Sequence, residues 1–91
     1  MTAFNLAPRL DLASARGLAA ALRDRAGADL VIDAGAVNHL GALGLQVLAS
    51  AALSWRATGH RLRIDPRSEP FDAALTSFGL PLSALESEPC S

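Results

Sequence analysis

Few residues in this chain could carry acid–base or nucleophilic chemistry. His39 and His60 are the only histidines, and Cys90 is the only cysteine. An α/β hydrolase exposes its serine in a G-x-S-x-G turn, and the sequence contains no such motif. Metal sites draw three or four ligands from His, Cys, Asp and Glu at recognisable spacing, and neither His39 nor Cys90 has such neighbours. We therefore expect no enzymatic activity, no metal site and no cofactor.

One alternative of a different class stays open at the end of a predicted central strand. Asp33 closes that strand and His39 follows in the next loop, where α/β sheets often bind ligands. A small-ligand or nucleotide-binding domain, or an enzyme, would use these two side chains. The other interpretations of His39 are an ordinary polar loop residue and a contact to a protein partner.

The glycines at Gly41 and Gly44 precede or begin a predicted helix, where free N–H groups attract anions. However, neither G-x-x-x-x-G-K-[ST] nor G-x-G-x-x-G is present, and the chain has no lysine to reach a phosphate. The spacing therefore favours a tight entry turn over a nucleotide site.

Composition limits the remaining classes of function. The chain has 91 residues, which is enough for one domain spanning 1–91, and 51% of them are hydrophobic but only 4% aromatic. Its core must come mainly from 19 Ala and 16 Leu residues. Eight arginines stand against nine acidic residues, so the net charge of −1 offers no basic face for nucleic acid. We expect no nucleic-acid binding.

Membrane insertion and export are not expected either. The longest stretch of low polarity, residues 41–53, is too short for the roughly 20 apolar residues of a spanning helix. The N-terminus lacks the basic-then-apolar pattern of a cleaved signal, and a lone cysteine fits a reducing compartment. These features predict a cytoplasmic protein without direct membrane insertion.

Apolar periodicity predicts three helices, at about 12–26, 42–58 and from Ser68 to Gly79. Asp11 and Ser68 are the expected N-caps of the first and third helices, and glycines follow all three. The core face of the third helix is expected to comprise Phe71, Ala74, Leu75 and Phe78.

Strands are predicted between these helices. Residues 29–33 look like a central strand covered on both faces, and residues 61–65 alternate like a strand with one wet face that ends at Pro66. Residues 4–10 should give one short edge strand, and Leu80 to Leu85 a short last strand. The result is an α/β fold of the order β-α-β-α-β-α-β, with a mixed, mostly parallel sheet of about four strands. The domain core covers about 4–85, and 86–91 form a flexible tail.

The second helix presents a narrow polar stripe of Gln46, Ser50 and Ser54. Leu43 falls on the same stripe, so either the first turn is irregular or Leu43 is exposed at the helix start. An exposed leucine at that junction could anchor a partner, although single exposed leucines are also normal on monomers.

Three motifs resemble STAS domains, the sulfate-transporter and anti-sigma-factor-antagonist family. They are DAGAVNHLGALGL at 33–45, GHRL at 59–62 and FDAALTSFGL at 71–80. In that family a strand ends in Asp, Val and an aliphatic residue follow, and Asp-Ser-x-Gly-Leu opens a long helix. Asp33, Val37, Leu40, Gly44 and Leu45 fit this pattern. The segment through Leu48 is also similar to small STAS proteins encoded among bacterial chemotaxis genes.

The resemblance implies a departure at two positions. Aligning Gly44 with the signature glycine puts Gly41 at the aspartate position and Ala42 at the serine that a partner kinase phosphorylates in antagonist-like members. Alanine has no hydroxyl group, so this chain would lack that phosphorylation switch. Phosphorylation elsewhere, at Ser50 or Ser54, stays open.

The expected function is that of a non-enzymatic interaction module in bacterial signal transduction. Its partner could be an anti-sigma-type kinase, a chemosensory protein or the other subunits of a membrane transport complex, and a homodimer is also left open. The expected partner-binding residues are Asn38, His39, Gly41, Ala42, Leu43, Gly44 and Gln46.

Overall fold

The structure is a computed structural model that describes residues 3–88. Its three helices are α1 (Leu12–Asp24), α2 (Ala42–Thr58) and α3 (Glu69–Phe78). Its strands are β1 (Ala3–Asn5), β2 (Arg9–Leu10), β3 (Leu30–Ala34), β4 (His39–Leu40) and β5 (Leu62–Arg67), and a 3₁₀ turn follows at Leu82–Leu85.

The strands form two parallel sheets. The larger has the order β1-β3-β5, and the smaller pairs β2 with β4. This confirms the α/β class and the parallel pairing, but within residues 3–88 there are five strands in two sheets. Residues 4–10 give two strands because Leu6 still donates to the carbonyl of Asp33, whereas Arg9–Leu10 pairs with β4.

The larger sheet is buried on one face. On β3, Leu30, Ile32 and Ala34 are buried, and Ile32 is paired with Ile64 of β5. The alternate residue Val31 is half-buried, and Arg63, opposite it, is exposed. The expectation that β3 is covered on both faces was therefore wrong. The buried side chains of strands and helices join in one core cluster, and the other face of the sheet remains accessible.

The caps of the helices agree with the sequence. Asp11 and Ser68 accept hydrogen bonds from the first turns of α1 and α3, while Gly59 and Gly79 follow α2 and α3 in the left-handed conformation. The first helix ends at Asp24, two residues before the predicted end at Ala26. Phe78 is 49% exposed, so its assignment to the core face of α3 was wrong. It occupies the last helical position, beyond the part of the helix that covers the core.

Pro66 lies inside β5 and does not end it. Between the pairs Ile32–Ile64 and Ala34–Arg67, β5 contains one more residue than β3, so the register shifts where Pro66 has no N–H to donate.

The segment after the 3₁₀ turn also differs from prediction. Leu82–Leu85 is a turn where a last strand was expected, and Ser87 makes a single antiparallel bridge with Leu62. Residues 86–88 were expected to be part of a flexible tail, but Ser87 is buried and its hydroxyl donates to the carbonyl of His60. Glu86 accepts the N–H of Ile64. These bonds cover the outer edge of β5, an edge that would otherwise expose backbone groups. Residues 89–91, with Cys90, lie outside the described residues.

Gly44 allows α2 to approach the segment before α1. A Cβ atom at this position would lie 3.0 Å from both Leu10 Cβ and Leu40 Cδ1. Gly17, in α1, has no atom within 4 Å of the corresponding position. The two glycines therefore form a matched pair in which only one is required by packing.

We expect Gly44→Ala to lower the free energy of unfolding by about 1 kcal/mol or more, because overpacking outweighs the gain in helix propensity. Gly17→Ala should raise it by roughly 0.5–1 kcal/mol, because alanine is the better helix former. Urea unfolding followed by the fluorescence of the single Trp55 measures both values. If both variants change the free energy of unfolding in the same direction, the result contradicts the packing described for Gly44.

The cap of α1 makes stability depend on pH. The N–H of Ser14 donates to Asp11 Oδ1 at 3.2 Å, and this bond, helped by Arg9, lowers the pKa of the Asp11 carboxyl. Because the folded pKa is the lower one, the stabilisation is complete above the unfolded pKa and is lost as pH falls through the folded pKa. The stability gap between wild type and Asp11→Ala should therefore shrink below about pH 4.

Asp11→Asn is the control for this effect, because it keeps the oxygen acceptor without the charge. Its stability gap to Asp11→Ala should stay constant between pH 3 and pH 7 in urea unfolding. A gap between wild type and Asp11→Ala that does not change with pH would show that the carboxylate charge contributes nothing.

Candidate functional site

The candidate site begins at the carboxyl edge of the larger sheet, where the chain passes from β3 to α2. The carbonyl of Pro8 accepts the N–H groups of Asn38 and His39, at 2.6 and 3.1 Å, and the carbonyl of Leu10 accepts that of Gly41 at 3.2 Å. These bonds fix the loop against the segment that precedes α1. Consequently, both helices start side by side.

Two side chains hold the first half of this loop. Asp33 Oδ1 accepts the N–H of Gly35 at 2.9 Å, which is the geometry of a turn closed by an aspartate. Ser68 donates from its hydroxyl to the carbonyl of Val37 at 2.6 Å and also caps α3. The Asp33 carboxylate therefore stabilises the turn that follows β3.

Most of the predicted partner-binding residues lie at the surface. The side chains of Asn38, His39, Ala42, Leu43 and Gln46 are exposed, and Leu43 is exposed to 44%. We call these five residues the loop–helix surface.

The two predicted glycines have different positions. Gly41 is half-buried, and the ring of His39 lies beside it, with Nε2 3.7 Å from where a Cβ would be. Gly44 is buried against Leu10 and Leu40, so its prediction as a partner contact was wrong. Its lack of a side chain serves internal packing instead.

The N-terminus of α2 has no side-chain cap. Gly41 occupies the N-cap position in an extended conformation, and its carbonyl accepts the N–H of Leu45. Ala42 is the first helical residue and is exposed. The methyl group of Ala42 faces solvent and offers neither a hydroxyl group nor a charge to a partner.

A groove between α1 and α2 extends the site and is absent from the predictions made from the sequence. The groove has a volume of about 480 Å³. Its α1 side comprises Leu12, Ala15, Arg16, Ala19, Leu22, Arg23 and Ala26. Its α2 side comprises Leu43, Gln46, Val47, Ser50, Ala51, Ser54 and Trp55. The polar stripe predicted for α2 is therefore one wall of a groove.

The sequence did carry a signal for the other wall. Leu12 and Ala19 are seven residues apart, and so are Arg16 and Arg23, which all lie within α1. Residues at that spacing lie along one side of a helix. What the sequence could not give is that this side of α1 faces α2.

Most of the chain is similar to one known domain family. A family model described as "Mlab, STAS domain" matches residues 2–81. The chain belongs to the STAS domain family. No curated protein and no solved structure matched it in the corresponding searches.

Members of the STAS family generally mediate interactions between proteins, and the structure agrees with their α/β fold. Within residues 3–88, no helix is long and apolar enough to cross a membrane. In the same range, no three side chains of His, Cys, Asp or Glu converge as metal ligands would.

The exposure of Leu43 can be tested by its effect on stability. We expect Leu43→Ala to change the free energy of unfolding by no more than about 0.5–1 kcal/mol, because much of the side chain is already in water. Its neighbour Leu45 is only 3% exposed, and Leu45→Ala should cost about 2–5 kcal/mol. Urea unfolding measures both. A large loss for Leu43→Ala would place that side chain in the core and remove it from the site.

Proposed function

We propose that this STAS domain is a non-enzymatic protein-interaction module in bacterial signal transduction, acting in the cytoplasm. Its partner binds the loop–helix surface. The observation that carries the proposal is the exposed Leu43 beside the uncapped start of α2, after a loop held by hydrogen bonds to Pro8, Leu10 and Ser68. Burying one leucine side chain contributes about 1.5–3 kcal/mol, enough for an anchor in a larger interface.

In this proposal the domain works without phosphorylation at the start of α2. A phosphate there would add nearly two negative charges and three acceptor oxygens at the partner surface. Ala42 cannot accept one, because it lacks a hydroxyl group. The module is then always competent to bind, and control lies with the synthesis or the state of the partner.

Three partner classes follow from the STAS family: an anti-sigma-type kinase, a chemosensory protein and the other subunits of a membrane transport complex. An anti-sigma-type kinase is disfavoured, because position 42 lacks the serine that such a kinase would phosphorylate. Identification of a crosslinked partner, together with the neighbouring genes, separates the remaining two.

A photo-crosslinking amino acid, incorporated into this protein in living cells, tests the surface directly. Substituted at Leu43 or at Gln46, it should yield a discrete adduct with one protein. At Arg63, which is exposed on β5 away from the loop, it should yield none. Equal adducts from all three positions, or none from Leu43 and Gln46, would remove this surface from the proposal.

The same partner, once purified, gives a quantitative test. Leu43→Asp should weaken its binding by at least tenfold, because a charge would then be buried where the partner covers an apolar side chain. Arg63→Glu changes charge at a distant exposed site and should leave the affinity unchanged. Isothermal titration with both variants, after each has been shown to unfold like the wild type, makes the comparison.

A further inference from the structure

The groove between α1 and α2 has a chemical character of its own. Its floor is apolar, since Ala15, Leu22, Ala51 and Trp55 are buried there. Two exposed leucines, Leu12 and Leu43, stand at the end where both helices start. Large exposed apolar side chains gathered beside an apolar groove mark a surface at which another molecule binds.

The rims of the groove are not equivalent. Arg16 and Arg23 line the α1 rim, and within residues 3–88 neither of them forms an ion pair. The α2 rim carries the neutral Gln46, Ser50 and Ser54. None of the lining residues is acidic. The uncapped start of α2 adds partial positive charge at the leucine end.

The shape of the groove restricts what can fill it. From Leu12 to Arg23 it follows α1 for about 17 Å, the length of about three helical turns. Many of its lining residues are exposed, so the groove covers one side of an occupant. Small-molecule sites, in contrast, enclose most of their ligand. An amphipathic helix that lays one apolar side into a groove fits this shape.

We infer that the groove between α1 and α2 receives an acidic amphipathic helix of the protein partner, with its carboxylates facing Arg16 and Arg23. This inference rests on the proposed function, because Leu43 and Gln46 belong to both surfaces. It adds the chemistry of the partner: a helix of about three turns, leucine-like on one side, with acidic residues seven positions apart along the edge of that side.

A designed peptide tests the inference without a known partner. The probe is a helical peptide of about 15 residues with leucines on one side and two glutamates seven residues apart, free of tryptophan. The control peptide has lysines in place of the two glutamates. Trp55 lines the groove and is the only tryptophan, so its emission reports binding in unlabelled protein.

We expect the glutamate peptide to bind at least tenfold more tightly than the lysine peptide in low salt, and this preference to fall as sodium chloride is raised. Arg16→Glu and Arg23→Glu should each weaken the glutamate peptide about three- to tenfold and tighten the lysine peptide. Arg63→Glu, with the same change in charge outside the groove, should change neither affinity.

Several results would overturn the inference. They are equal affinities for the two peptides, failure of the glutamate peptide to bind, and affinities that Arg16→Glu and Arg23→Glu leave unchanged. If dodecanoate binds more tightly than the glutamate peptide, the groove is instead a site for an anionic amphiphile. A dimer in light scattering that Arg16→Glu abolishes would assign it to a second copy of this chain.

Failure here is distinguishable from failure of the proposed function. Crosslinks from Leu43 to a discrete protein, together with negative peptide results, would leave the loop–helix surface in place and remove only the acidic helix. Binding of the peptide that depends on Arg16 and Arg23, without any protein crosslinked at Leu43, would keep the preference of the groove for an acidic helix and remove the protein partner proposed for the loop–helix surface.

Discussion

The pairing of β2 with β4 is the interaction on which the rest of the molecule depends. It contains only two residues on each side, yet it places the carbonyl of Leu10 on the N–H of Gly41 and so sets the two long helices side by side at their starts. Gly44 permits this closeness, because any side chain there would collide with Leu10 and Leu40. The position of the loop, the exposure of Leu43 and the groove between α1 and α2 all follow from this one junction.

The core explains how so small a chain maintains such a site. Its buried side chains are mostly Ala and Leu, and they lie on one face of the larger sheet, beneath the helices. The opposite face shows polar side chains such as Asn5 and Arg63, and the outer edge of β5 is closed by Glu86 and Ser87. Of the four large exposed hydrophobic residues within residues 3–88, Leu12, Leu43 and Leu53 lie on α1 and α2. The apolar surface left for a partner is therefore concentrated on the helical side.

The chemistry of the site is defined by small residues as much as by large ones. In our proposal, Gly41 and Ala42 stand where the resemblance to STAS domains places an aspartate and a phosphorylatable serine. In our proposal these residues leave a smooth apolar entrance to α2, with Leu43 as the anchor and two arginines on the facing helix. The shape and charge of such a surface are fixed, whereas a phosphorylatable serine would make binding depend on whether this domain is phosphorylated.

The sequence by itself determined the α/β class, the extents of α2 and α3 to within a residue, and the caps at Asp11 and Ser68, whereas it left the exposure of Leu43 open. These features depend on local rules: helical periodicity, hydrogen bonds from nearby side chains to the backbone, and the left-handed turns that glycine tolerates. The tertiary structure alone decided that residues 4–10 divide between two sheets, that β5 continues through Pro66, and that Ser87 is buried. It alone decided that Gly44 is internal and that Arg16 and Arg23 face the stripe of α2. Each of these depends on which segment lies opposite, and contacts between residues distant in the sequence leave no periodic pattern in either segment.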